Sequence, residues 1–165
     1  MPSEPLPRID LGLLSPVSVG HDALLSDEFV LATMIRVECA LVAAYVAVGV
    51  APREARADID HVFGIDEKGG ASTRVLDVDA LVRDAVAGGN PVIPLVGALK
   101  AQVPAEHRGW IHRGTTSQDV LDTALMVVAQ RAVEQTRRSV ANAAVWARQL
   151  ATAHADEVAA ARTLT

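Results

Sequence analysis

From Val120 to Val158 the chain contains neither glycine nor proline. Apolar residues recur there at Leu121, Leu125, Val128, Ala132, Val140, Ala143, Trp146 and Leu150, with Thr136 filling the one gap. That spacing is helical, and it predicts one unbroken helix. At 1.5 Å per residue, thirty or more helical residues reach ~50 Å, more than a few short helices can cover. The expectation is all-α: a small N-terminal helical domain over 1–110, then over 111–165 the first long helix of a helix bundle.

The rest of the chain is punctuated more often. Pro2, Pro5, Pro7, Gly12, Pro16 and Gly20 make the first 25 or so residues an irregular arm. Ser26, with Asp27 and Glu28 behind it, caps a first helix running to Gly49. Pro52 suits a first helical position, so a second helix covers Pro52 to Val62 and stops at Gly64. The stretch Gly64 to Thr73 reads as a mobile loop. A third helix spans about Asp77 to Ala87, closed by Gly88 and Gly89, and Asn90-Pro91 opens a fourth toward Val103.

Composition narrows the function. Half the residues are hydrophobic but only 3% are aromatic, so Ala, Val and Leu must pack helices closely. A mean hydropathy of +0.25 is high for a chain of this size and suggests apolar surface meant for other subunits or more chain. Fifteen basic against twenty acidic residues give a net charge of -5, and no basic run argues for nucleic acid. The single cysteine, Cys39, allows no internal disulfide and reads as a small core residue. The N-terminus has no signal-peptide pattern, and the uncharged stretch Cys39 to Pro52 is too short for a bilayer. A cytoplasmic protein with no membrane partner is the expectation.

The chemistry concentrates in His112-Arg-Gly-Thr-Thr-Ser-Gln-Asp119, at the start of the long helix. Thr116 and Ser117 can cap it with their hydroxyls, while first-turn N–H groups face outward at the positive end of the helix dipole. Such an end binds a carboxylate or phosphate, with His112 able to offer a proton or a hydrogen bond. From spacing alone, an ordinary helix cap is the better explanation of the same residues. His21, His61, His107 and His154 lack ligand spacing and read as surface or helix-end histidines.

The pattern His112-x-Gly-x-Thr-Ser-Gln-Asp-x-x-Asp-Thr resembles the first conserved region of the fumarase/aspartase/adenylosuccinate lyase superfamily, in the form found in 3-carboxy-cis,cis-muconate cycloisomerases. Val37-Glu-Cys-Ala-Leu with Gly49-Val-Ala-Pro52 is similar to that family's first core helix. Gly88-Gly-Asn-Pro-Val-Ile-Pro-Leu-Val96 resembles its AGN-x-x-IPLV segment, and Ala161-Arg-Thr163 the entry to its second conserved region. The TSQD variant separates it from adenylosuccinate, argininosuccinate and fumarate relatives. Arg113 and Leu164 depart from the pattern, where an apolar residue and Trp are usual.

The resemblance implies an enzyme that lactonises 3-carboxy-cis,cis-muconate, a small tricarboxylate, in protocatechuate catabolism, as a cytoplasmic homotetramer and with no metal or organic cofactor. Thr116, Ser117 and Gln118 would hold a substrate carboxylate, Asn90 would add a polar contact and His112 would line the pocket as the catalytic candidate. Arg162 would sit near it from the second domain, and Arg113, although a departure from the family pattern, is a further substrate-binding candidate. Glu38 matches a family position, which a structural hydrogen bond explains as well as a functional one. The family's general base is a Ser on a GSSxMPxKxNP loop that this sequence does not contain, so the chain alone is expected to be inactive. A sister lyase and a non-catalytic helical interaction domain are the alternatives.

Overall fold

A computed structural model describes residues 23–66, 70–158 and 160. Five α-helices carry it: α1 Asp27–Ala47, α2 Arg53–Val62, α3 Val78–Gly88, α4 Val92–Gln102 and α5 Ser117–Ala153. Short 3-10 turns precede α1 at Ala23–Leu25 and α5 at Arg108–Trp110. No strand occurs among the described residues. They divide into two compact units after Ala129, within α5.

In the first unit the core is written as helical stripes. On α1 the buried positions are Leu31, Thr33, Met34, Ile35, Glu38, Cys39 and Val42; all but Thr33, whose hydroxyl donates to the Phe29 carbonyl at 2.7 Å, are spaced three and four apart on a face that is apolar but for the Glu38 carboxylate. Ala55, Ile59 and Phe63 follow the same rule at α2, as do Val92, Leu95 and Leu99 on α4. Val120, Ala124 and Val128 add the first turns of α5. By length and composition α1 is apolar enough to cross a membrane. Arg36 and Glu38 lie in its middle, and its apolar stripe is spent on this core, a use to which apolar core helices are commonly put.

The caps set the boundaries. Ser26 accepts from the Phe29 N–H, and Asp77 from the Ala80 N–H. Gly89 closes α3 in the left-handed region at φ +66°. Pro52 differs from expectation: its ψ of 148° leaves it outside α2 as the cap, because its fixed φ suits that position as well as the first helical one. Pro94 sits in the first turn of α4, where the missing N–H had no helical partner anyway.

The described ends of the 64–73 loop are tied down. Ser72 N–H donates to the Phe63 carbonyl at 2.7 Å, and Ile65 and Ala71 pack against the core. Its middle, 67–69, lies outside the described residues.

The second unit is the remainder of α5. Glu134 binds Arg137 and Arg138 there, which hold its carboxyl down at about 2. Val133, Val140, Trp146 and Leu150 are exposed. The helix runs 37 residues and stops at Ala153. Asp156 and Glu157 would oppose the negative end of its dipole, and His154 turns onto Glu157 instead.

Candidate active site

The seven residues before α5 are pinned from below by α1. Ile111 is buried, and the next residue, His112, takes a left-handed φ of +59° that non-glycine residues adopt at a cost. Glu38, itself 2% exposed, meets it with both carboxylate oxygens. Oε2 accepts from the His112 backbone N–H at 2.8 Å, and Oε1 lies 2.7 Å from Nδ1. Burying a carboxylate costs several kcal/mol unless it is well bonded, so this pairing is what makes Glu38 tolerable in an apolar stripe.

Two turns further along α1, Tyr45 donates its hydroxyl to the Arg113 carbonyl at 2.9 Å. Its ring lies 6.0 Å from Trp110, tilted by 51°, and the Arg113 guanidinium sits 4.4 Å over the Trp110 ring. Arg113 is thus an ordered cation at the exposed edge of the loop. Gly114 follows at φ +69°, where an added Cβ would stand 2.8 Å from the Tyr45 hydroxyl. Only glycine meets both demands.

A reciprocal cap opens α5. The Thr116 hydroxyl accepts from the Asp119 N–H at 3.3 Å, and the Asp119 carboxylate accepts from the Thr116 N–H at 2.9 Å. That carboxylate also takes the Thr115 hydroxyl at 3.2 Å. The Thr116 N–H foremost, then the Thr116 and Thr115 hydroxyls, hold Asp119 below its ordinary value of 3.8. Thr116 is therefore the cap and Ser117 the first helical residue. The Ser117 hydroxyl, and the N–H groups of Ser117 and Gln118, find no partner among the described residues. Asp119 offsets part of the dipole, but its Oδ2 is taken up by Thr115 and Thr116, and the Ser117 and Gln118 donors make no bond to it.

The structure gathers His112, Arg113, Thr116, Ser117 and Gln118 on this single segment. Gln118 is exposed, and its Nε2 donates along the helix to Asp122 at 2.6 Å. Asn90 stands at the start of α4, with Oδ1 accepting from the Val92 N–H at 2.8 Å, and shares no hydrogen bond with the His112 loop among the described residues. Arg162 lies outside the described residues. No sequence pattern singles out Tyr45 or Trp110, and the sequence fits Glu38 to a structural or a functional role alike. One signal was available: a carboxylate in the middle of an apolar helix needs a partner. No group of three or more His, Cys, Asp or Glu among the described residues could hold a metal ion.

No protein-family model matches the chain. It is 40% identical over 162 residues to nitrosuccinate lyase of Streptomyces davaonensis, covering 95% of this chain and 32% of that protein. To 3-carboxy-cis,cis-muconate cycloisomerase of Bradyrhizobium diazoefficiens it is 34% identical, over 92% of this chain and 33% of the relative. The crystal structure of the 3-carboxy-cis,cis-muconate lactonizing enzyme from Pseudomonas putida superposes with a TM-score of 0.75 at 30% identity, covering 85% of this chain and 30% of that one. The chain thus spans about a third of the length of these relatives. With the all-helical fold and the His112 to Thr123 pattern, sequence and structure relatives together place this chain in the fumarase/aspartase lyase superfamily.

Proposed function

We propose that this chain supplies a carboxylate-binding part of an enzyme that makes or breaks a bond β to a carboxylate on a small polycarboxylic acid. The observation that carries it is the start of α5, where the open Ser117 hydroxyl and the Ser117 and Gln118 N–H groups stand beside His112. Fixed donors aimed at a carboxylate suit a reaction that builds charge next to it, each worth on the order of 3 kcal/mol when well placed. The ordered Arg113 adds a cation for a second carboxylate.

Within that class the reading put first is lactonisation of 3-carboxy-cis,cis-muconate, supported by the TSQD pattern and by the likeness to the lactonizing enzyme. A second reading, elimination from nitrosuccinate, is favoured by the 40% identity along nearly the whole chain. In either case the active enzyme is a cytoplasmic oligomer in which other segments complete the site, and the exposed Val140, Trp146 and Leu150 of α5 meet further helices.

The test is a chimera in which these residues replace the matching part of the Pseudomonas putida enzyme, assayed with both acids. Ser117→Ala should lower kcat/KM by ~100-fold or more on the favoured acid, with little change in stability because Thr116 makes the cap. Arg83→Ala, exposed on α3, serves as the control. Equal and small effects of the two substitutions would mean that no carboxylate sits at this helix end. The 165-residue chain by itself should turn over neither acid.

A further inference from the structure

We infer that Glu38 is a positioning residue: it fixes His112 as the tautomer with its proton on Nδ1, leaving Nε2 as the one ring nitrogen free to meet a ligand. This rests on the start of α5 being the ligand site, and it adds what the imidazole can do there.

The bonding pattern carries the inference. A backbone N–H can only donate, so Oε2 of Glu38 accepts from His112. A carboxylate kept merely to satisfy that amide would leave its other oxygen for a different donor. Here Oε1 lies 2.7 Å from Nδ1 of the same residue, a separation typical of charge-assisted bonds. An ionised Glu38 makes both bonds only if Nδ1 carries the proton. Turning the ring over would set Cδ2 against Glu38 in place of Nδ1 and forfeit that bond, while the backbone is pinned by buried Ile111 and by the bond from Tyr45 to the Arg113 carbonyl. Nε2 makes no hydrogen bond among the described residues, and the side chain is 17% exposed, so this nitrogen is open.

A histidine oriented this way presents a lone pair. It can take a proton at Nε2 and hand it on, with the imidazolium held against the Glu38 carboxylate meanwhile. The same ring with its nitrogens exchanged would be a hydrogen-bond donor only. A single-atom change makes the exchange. In Glu38→Gln the amide oxygen still serves the backbone N–H, so the amide NH2 falls on Nδ1, which must then accept, and the proton moves to Nε2.

The experiment is long-range proton–nitrogen NMR on the 15N-labelled chain, at a pH where the imidazoles are neutral. Wild-type His112 should show a protonated Nδ1 and a bare Nε2, the reverse of His61, which has no hydrogen-bond partner for its ring among the described residues. Glu38→Gln should invert the His112 pattern, and Glu38→Asp, too short to reach the ring, should bring it toward that of His61. A wild-type His112 protonated on Nε2 overturns the inference, and so does a folded Glu38→Gln with the pattern unchanged. Should Glu38→Gln not fold, the wild-type nitrogens decide alone. Addition of fumarate, a small dicarboxylate, separates the two proposals. No response of His112 or of the Ser117 amide would remove the ligand site while the tautomer result stands.

Discussion

Replacing Gly114 by alanine attacks the loop at its tightest point. At φ +69° an alanine pays ~1–2 kcal/mol for the left-handed conformation. Its Cβ would also stand 2.8 Å from the Tyr45 hydroxyl, closer than such contacts occur, so the tyrosine must move. Moving it breaks the 2.9 Å bond to the Arg113 carbonyl, worth ~1 kcal/mol. The total is about 2–3 kcal/mol, a fall of roughly 1 M in the urea midpoint for a chain of this size. Tyr45→Phe alone should cost ~1 kcal/mol, since it loses only the bond. In the double variant that bond is lost once and the collision is gone, so the combined cost falls short of the sum by ~1 kcal/mol. Trp110 emission in a Trp146→Phe background follows the transition, because Trp110 packs beside Tyr45 whereas Trp146 is 65% exposed on α5. Strict additivity, or a Gly114→Ala cost below ~0.5 kcal/mol, would refute the steric account.

Thr116→Ala should destabilise the start of α5 by ~1 kcal/mol, read as a lower urea midpoint, because the reciprocal cap loses its hydroxyl. Asp119 is held below its ordinary 3.8, so its stabilising effect is present above that value and lost as pH falls through the depressed one. Asp119→Asn should therefore shrink the drop in urea midpoint between about pH 6 and about pH 3, and an unchanged drop would count against the cap. Burial pushes the Cys39 thiol up to about 12, so a thiol reagent at neutral pH should label it only as fast as the chain opens. With Val140, Trp146 and Leu150 exposed, sedimentation velocity at micromolar concentration should show self-association that Trp146→Glu weakens, and a stable monomer would speak against it.

Where a helix begins or ends on a local device, the sequence could be read. Ser26, Asp77 and Gly89 each do their work within four residues, and the helices they bound fall where those residues put them. The start of α5 was legible to a residue, but the choice between Thr116 and Ser117 as cap was not. It turns on Asp119 answering from three positions on, a reciprocity that composition alone does not reveal. The length of α5, 37 residues without a break, is legible in its apolar stripe, whereas the residue at which it ends is not, because no glycine or proline marks it and only acidic residues near the C-terminal dipole tell against continuing. Least legible was the site. Glu38 and His112 are 74 residues apart, and nothing in the spacing of either says that a carboxylate in α1 and a histidine before α5 will meet. Tyr45 was invisible for the same reason, its partner being a backbone carbonyl, which every residue has.

Because Glu38 and Tyr45 belong to the helix whose opposite turns fill the core, the loop that carries His112 has no freedom of its own. The His112 amide can exchange with solvent only when the grip of α1 is released, so its protection should match that of core amides such as Ile35 and exceed that of its loop neighbours. Substitutions at Met34 or Cys39, which touch no ligand, would then reach the site by shifting the register at which α1 presents its two holding groups. In such a design, drift in the interior and drift in the geometry of the His112 loop are one and the same variable.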